Sequence, residues 1–181
     1  MGSAVLILGC GDAFHLVPRV LNYFVTGDFN AWLGIGKLVT SITMTIFYVL
    51  MYFLWLKIYR EKEDQRLTWA VYALTAVRII LCLFPQNRWL DNESSVLWGI
   101  IRNIPFVALG CLVVWLYYRK RQAVRRFRFV WLLVVFSFLF YIPVAVGASL
   151  VPMLGMLMLP KTVCYMLLIW VFWKHANDAA A

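Results

Sequence analysis

The chain has 181 residues, of which 64% are hydrophobic and only 14% are charged, and its mean hydropathy is +0.82. Soluble domains carry about 25% charged residues, so this composition excludes an ordinary water-soluble enzyme and indicates a polytopic membrane protein. The net charge is +9, yet 11 of the 17 Lys and Arg residues lie in two short loops and the C-terminal tail. That distribution is typical of the positive-inside rule, and we predict no nucleic-acid partner.

Apolar runs of about twenty residues predict an all-α fold with membrane-spanning helices. We expect six spans in a single transmembrane helical domain, 1–181, at residues 3–25, 31–59, 67–84, 96–118, 127–151 and 152–173. Short connections predict that successive helices are antiparallel neighbours in one bundle. Apolar residues follow Met1 at once, so either the protein begins inside its first span or an upstream segment precedes it. A further helix in such a segment would bring the total to seven spans.

The loops predict the orientation of these spans. The segments "KIYREKEDQR" and "RKRQAVRRFR" hold four and six cations, whereas the alternate loops, around Asp28 and in "PQNRWLDNESS", contain only Arg88. The cation-rich loops should therefore face the cytoplasm, together with the C-terminal tail that carries Lys174 and His175.

Ionisable side chains inside the predicted spans gather toward the outer side. A cation at the centre of a bilayer costs about 2.5–3.5 kcal/mol on insertion scales, so such residues should face the bundle interior. We predict an outward-facing electropositive pocket that binds or moves an anionic small molecule or a lipid headgroup. Its predicted ligand-binding residues are Arg19, Lys37, Arg78, Arg102, Asn103, Tyr141 and Lys161.

Three prolines lie at a similar depth in the last three predicted spans. Pro105, Pro143 and Pro160 are each about two and a half turns from the outer end of their span. A proline inside a helix removes a hydrogen bond and kinks the helix, and irregular backbone in a membrane is tolerated where it lines a cavity. The prolines predict a widened outer vestibule.

The first predicted span carries a polar stripe. Asp12, His15, Arg19 and Asn22 recur at spacings of three and four residues, which places them on one helical face. Asp12 and His15 would be the proton-responsive element of an anion site. The alternative interpretation is a structural seam that holds helices together through polar contacts.

An enzyme is the second functional hypothesis, an intramembrane and lipid-directed hydrolase. Asp12 or His15 would act as the base, with Arg102 or Lys161 stabilising an oxyanion. No cofactor is otherwise expected, but a zinc ion on Asp12 and His15 is a further option, with Cys164 as a third ligand. His175 cannot serve, because it lies at the opposite membrane face.

Short motifs carry resemblances to known families. "GDAFHLVPR", residues 11–19, is similar to the opening of bacterial multi-pass membrane proteins with no assigned activity, which implies a bacterial inner-membrane location. "GDAFH" also resembles a pattern of the alkaline ceramidase and progestin-receptor superfamily, which would imply zinc hydrolysis. The "GD" and "PK" elements resemble those of lysoplasmalogenase-like proteins in reversed order, so no residues are carried over.

Lys161 has one further resemblance. A single lysine midway along a final helix, after a proline, resembles the position at which retinal proteins attach their chromophore. No carboxylate is evident on the expected neighbouring helix, and a buried pair of Lys161 with Asp12 is the alternative interpretation.

Overall fold

The computed structural model describes residues 30–91, 95–147 and 152–178. These residues form five α-helices: α1 (Asn30–Tyr59), α2 (Gln65–Leu83), α3 (Val96–Arg119), α4 (Val130–Gly147) and α5 (Met158–Asp178). Three short 3-10 helices connect them, at Pro85–Asn87, Arg125–Phe127 and Pro152–Leu157. No strand occurs among the described residues, so the predicted all-α class is confirmed for them.

Five segments are long and apolar enough to cross a membrane: Ala31–Tyr59, Gln65–Leu83, Val96–Arg119, Arg125–Gly147 and Met153–His175. They correspond to the second through sixth predicted spans, with ends that differ by a few residues. The first predicted span, 3–25, lies outside the described residues. The structure therefore accounts for five of the six expected helices.

Local sequence signals explain where the helices begin and end. Asp64 caps α2 by accepting a hydrogen bond from the backbone N–H of Arg66 at 3.0 Å, and Ser95 caps α3 by accepting from the N–H of Trp98 at 3.3 Å. The helix α1 ends at Tyr59, and the next residue, Arg60, adopts a left-handed conformation with φ of 50°. Glu61 then donates its N–H to the carbonyl of Leu56 at 3.1 Å, as in a Schellman-type cap.

Successive helices pack as antiparallel neighbours, and α1 also packs against α3. The loops 60–64 and 120–129 and the last turn of α5 lie together at one end of the bundle, which we call the basic end. There, Lys120 pairs with Glu61, and Arg126 donates to the carbonyl of Lys174 at 3.1 Å. The opposite end carries the connection between α2 and α3.

The core lies between α1, α3, α4 and α5, with Val71 contributed by α2, in the half of the bundle nearer the basic end. Aromatic residues dominate it, with Tyr48, Tyr52, Tyr117 and Phe127 completely buried. Their rings meet mainly edge to face, as for Tyr48 against Phe106 with centroids 5.3 Å apart. This packing fixes the positions of the helices relative to one another. The same helices carry the polar residues of the opposite half of the bundle.

One of the three prolines lies at a different place in its helix from the one predicted. Pro105 and Pro143 lie inside α3 and α4 as expected. Residues 152–157 instead form a 3-10 helix, and α5 begins only at Met158, so Pro160 lies in the first turn. Pro160 therefore lies just after the junction of two kinds of helix, whereas Pro105 and Pro143 lie inside uninterrupted α-helices.

Candidate functional site

Two arginines meet between α2 and α3 in the half of the bundle away from the basic end. Arg78 of α2 is 1% exposed, and its guanidinium donates a hydrogen bond to the backbone carbonyl of Arg102. Its Cζ lies 5.2 Å from the ring centroid of Phe106. The backbone of α3 thus supplies an acceptor to a buried cation of α2.

The connection between α2 and α3 covers the second arginine. Arg102 donates a 2.8 Å hydrogen bond from a terminal guanidinium nitrogen to Oδ1 of Asn87. The side-chain amide of Asn87, which is fully buried, donates in turn to the carbonyls of Leu81 and Phe84 at 2.7 and 2.9 Å. One asparagine therefore caps the end of α2 and fixes the guanidinium of Arg102.

Trp89 stacks on the same guanidinium. The Cζ of Arg102 lies 4.3 Å from the tryptophan ring centroid, and the indole N–H donates to the carbonyl of Cys82 at 2.8 Å. A β-carbon built on Gly34 of α1 would overlap the backbone carbonyl oxygen of Trp89. A glycine at position 34 is therefore what allows α1 and the connection 84–91 to approach each other.

A second polar group joins α3, α4 and α5. Tyr141 donates its hydroxyl to Oδ1 of Asn103 at 2.7 Å, and Asn103 donates to the carbonyl of Gly99 at 2.7 Å. The Nζ of Lys161 lies 4.9 Å from the ring centroid of Tyr141 and 5.5 Å from that of Tyr165. Lys161 is 5% exposed, so its ammonium group is held inside the bundle next to two aromatic rings.

Hydroxyl groups continue this polar region toward the core. The hydroxyl of Tyr48 lies 3.3 Å from Oγ of Ser137 and 3.4 Å from the hydroxyl of Tyr165. Ser137 also donates to the carbonyl of Val134 at 2.8 Å. These hydroxyls link α1, α4 and α5 about one helical turn from Lys161 toward the basic end.

The two arginines retain unused hydrogen-bonding capacity. An arginine side chain has five N–H donors, and the Nε atoms of Arg78 and Arg102 are buried without a hydrogen-bond acceptor among the described residues. On the five described helices, the only Asp or Glu is Asp178, at the basic end. In this part of the chain, no carboxylate on a helix can compensate the charges of Arg78 and Arg102.

The structure brings five of the predicted ligand-binding residues into two adjacent groups. Arg78 and Arg102 touch directly, and Asn103, Tyr141 and Lys161 form the second group. Phe106 joins the groups, since its ring contacts Arg78 on one side and Tyr141, at 5.5 Å between centroids, on the other. We call the two groups together the cationic cluster.

The other predicted site residues are not among the contacts that define the cationic cluster. Lys37 lies half-buried on α1, one turn after Gly34. Arg19, Asp12 and His15 lie outside the described residues, so their places relative to the cationic cluster are not assigned. Within the described parts of the chain, no three His, Cys, Asp or Glu side chains are grouped as metal ligands would be.

Sequence reasoning did not identify Asn87 and Trp89, the two loop residues that contact Arg102. A local signal was present: an Asn follows the end of a helix by a few residues, with Pro85 in between, and Asn readily bonds exposed backbone groups at such positions. The contact with Arg102 spans 15 residues, and periodicity does not report contacts between a loop and the next helix.

Comparison with known proteins adds no relative: no protein-family model, no curated protein and no solved structure matches this chain.

Proposed function

We propose that the chain is a single multi-pass membrane domain of a bacterial inner membrane, with the basic end on the cytoplasmic side. Large apolar side chains are exposed along the helices, which a water-soluble bundle would avoid. Examples from four helices are Ile80, Ile104, Leu139 and Met166. Hydrocarbon is the solvent that suits such a surface, and the cation-rich loops determine which side faces the cytoplasm.

We further propose that the cationic cluster binds an anion or moves it across the outer half of the membrane. The observation that carries this proposal is the pair Arg78 and Arg102, whose buried Nε atoms have no acceptor among the described residues. A charge removed from water is costly unless it is paired and hydrogen-bonded. An anion placed between the two guanidinium groups would accept the N–H donors that remain and compensate the charges.

The chemistry of the donors favours an oxyanion. Guanidinium groups bind phosphate and carboxylate through parallel N–H···O bonds, whereas an ammonium acts as a point charge. Lys161 would strengthen the positive field from α5, and the aromatic rings around it exclude water without competing for the anion. Phosphate, a phospholipid headgroup and a carboxylate share this chemistry.

The test is heat unfolding of the purified full chain in a neutral detergent, with sodium phosphate compared against sodium chloride at equal ionic strength. We expect phosphate to raise the unfolding midpoint in a saturable way. Arg102→Gln should raise the half-saturating phosphate concentration about tenfold or more, because a hydrogen bond to a charged group contributes about 1.5–3 kcal/mol. The matched control is Arg88→Gln, which removes an exposed cation of the same connection.

Two results would contradict the anion site: equal stabilisation by chloride, or equal responses of the two variants. Adding dihexanoyl phosphatidic acid distinguishes the sources of the phosphate group. Stabilisation at a much lower concentration than with inorganic phosphate would indicate a lipid headgroup, and similar concentrations would indicate a small free anion.

The orientation is tested separately by labelling. In a chain whose four native cysteines are replaced by serine, Gln122→Cys lies in the basic loop and Ser95→Cys lies at the opposite end. A membrane-impermeant maleimide applied to intact spheroplasts should label the cysteine at position 95 and not the one at position 122. The reverse pattern would overturn the orientation.

The hydrolase hypothesis rests on Asp12 and His15, and no observation among the described residues favours it. Metal analysis of the purified protein separates the two functions. Stoichiometric zinc that is lost in His15→Ala would support a metal hydrolase, whereas phosphate stabilisation that survives His15→Ala would support the anion site.

A further inference from the structure

A groove of about 520 Å³ opens on the surface between α3 and α4. It contains none of the residues of the cationic cluster. Its floor includes Gly110, on which a β-carbon would overlap the ring of Phe138, and its walls are apolar side chains along both helices. Cys111, which is exposed, lies in the same groove, so it differs from the buried Cys82 and Cys164.

The groove has the length of one lipid leaflet. Its lining on α3 extends from Val107 to Tyr118, eleven residues apart. At a rise of 1.5 Å per residue this is about 16 Å, roughly half of the 30 Å hydrocarbon thickness of a bilayer. On the proposed placement in the membrane, the groove occupies only the leaflet on the side of the basic end.

The end of the groove at the basic loop differs chemically from the rest. Three amphipathic aromatic residues line it there: Trp115, Tyr118 and Trp131. Tyr118 and Trp131 meet edge to face with centroids 5.1 Å apart. Trp and Tyr rings prefer the level of lipid headgroups, so these residues mark where the acyl region ends and the interface begins.

Two arginines lie directly on these rings. The Cζ of Arg119 lies 5.5 Å from the ring centroid of Trp115, and the Cζ of Arg121 lies 4.0 Å from that of Tyr118. Arg121 also donates to the carbonyl of Tyr118 at 3.1 Å, which holds its guanidinium at the mouth of the groove. A guanidinium that rests with its face on a ring still has N–H donors along its edge for a phosphate.

We propose that this groove is a binding site for an anionic phospholipid of the leaflet at the basic end. One acyl chain lies along the groove between α3 and α4, and the phosphate of the headgroup contacts Arg119 and Arg121. The charge of the arginines complements the headgroup, and the apolar lining complements the chain. This site is distinct from the cationic cluster in the opposite half of the bundle, and it does not depend on the anion site proposed there.

The experiment uses the full chain purified in a neutral detergent and titrated with either phosphatidylglycerol or phosphatidylcholine of the same acyl composition. Bound lipid is counted by native mass spectrometry, and heat unfolding is followed in parallel. We expect one phosphatidylglycerol to be retained per chain at a concentration at least tenfold lower than for phosphatidylcholine. Equal retention of the two lipids would overturn the proposal.

Three variants identify the site. Arg119→Gln combined with Arg121→Gln should reduce the preference for phosphatidylglycerol about tenfold or more, because each basic residue near a membrane surface contributes noticeably to binding anionic lipid. The control is Arg125→Gln combined with Arg128→Gln, which removes the same charge from the same loop at side chains that have no cation–π contact with Trp115, Tyr118 or Trp131. Val135→Trp fills the groove from its exposed side and should reduce retention of both lipids.

Equal effects of the two double variants would show that loop charge alone selects the lipid, and that result would overturn the proposal. A second copy of the chain is the other occupant that an apolar groove could take. If Val135→Trp converts a dimer into a monomer in light scattering and leaves lipid retention unchanged, the groove is a protein interface and the lipid site is wrong. A monomer of unchanged size with reduced lipid retention supports the lipid.

Discussion

Asn87 and Arg102 form the contact that closes the end of the bundle opposite the basic loops. Oδ1 of Asn87 accepts a 2.8 Å hydrogen bond from Arg102, while the amide nitrogen of Asn87 donates to carbonyls at the end of α2. The same side chain thus terminates one helix and orients the cation of the next. It ties helix capping to the geometry of the candidate anion site.

Asn87→Ala should be strongly destabilising. It would leave the carbonyl of Leu81 without the amide donor and a guanidinium N–H of Arg102 without its acceptor, whereas the carbonyl of Phe84 would keep the backbone N–H of residue 87. Leaving buried polar groups unsatisfied costs about 1–3 kcal/mol each, so we expect a loss of about 2 kcal/mol or more. The free energy of unfolding can be measured by titration with sodium dodecyl sulfate in mixed micelles.

The control for Asn87 is Gln86→Ala in the same 3-10 helix, where the side chain is exposed. We expect it to change the free energy of unfolding by less than about 0.5 kcal/mol. Similar losses in the two variants would contradict the role assigned to Asn87.

Gly34→Ala should disturb the arginine site from a distance. Its methyl group would overlap the backbone of Trp89, and backbone cannot rotate away as a flexible side chain can. The connection 84–91 would have to move, and with it the stacking of Trp89 on Arg102. We expect a loss of about 1–3 kcal/mol of stability, as for other overpacked sites, together with weaker phosphate stabilisation.

Gly99→Ala is the matched control on α3. A β-carbon there would lie 3.6 Å from the carbonyl oxygen of Ala145, an ordinary contact. Alanine is the better helix former by about 1 kcal/mol, so stability should stay equal or rise. If both glycine variants lost stability equally, the close approach at Gly34 would not be the cause.

Tyr141 should contribute separately through its hydroxyl and its ring. Tyr141→Phe removes the donor to Asn103 but keeps the ring beside Lys161. We expect it to cost about 1–2 kcal/mol of stability, since Oδ1 of Asn103 is left without that donor. Tyr141→Leu also removes the aromatic face, and an additional loss is expected from the cation–π contact.

The free energy of unfolding of the two variants at position 141 can be measured in mixed micelles. Equal stabilities of Tyr141→Phe and Tyr141→Leu would show that the ring contributes nothing beyond its hydroxyl. Tyr72→Phe, at an exposed position on α2, provides the baseline for removing a hydroxyl and should have little effect.

Arg60→Gly should stabilise the protein. Arg60 has a φ of 50°, in the left-handed region that disfavours residues with a β-carbon and suits glycine after the end of a helix. We expect a gain of about 1 kcal/mol, visible as a higher unfolding midpoint in detergent. Lys57→Gly, three residues earlier inside α1, should instead lose about 0.5–1 kcal/mol, and a loss in both variants would contradict the assignment.

The sequence by itself determined the helical class and the second to sixth of the expected long apolar helices. Hydrophobic runs indicate where helices lie because the length and apolar character of a segment are properties of that segment alone. The ends of α1 and α3 were predicted to within one residue. Burial of Arg78 and Lys161 also follows from local physics, since a cation in hydrocarbon must turn toward protein.

The tertiary structure alone decided which groups these cations meet. That Arg102 would contact Asn87 and Trp89 depends on how the connection after α2 folds back against Gly34, a relationship between three separate segments. The first-turn position of Pro160 likewise depends on the turn that precedes α5. Periodicity in one segment shows which face of a helix is apolar. Contacts between segments depend on how the side chains of several segments pack together, and the sequence of one segment does not contain that information.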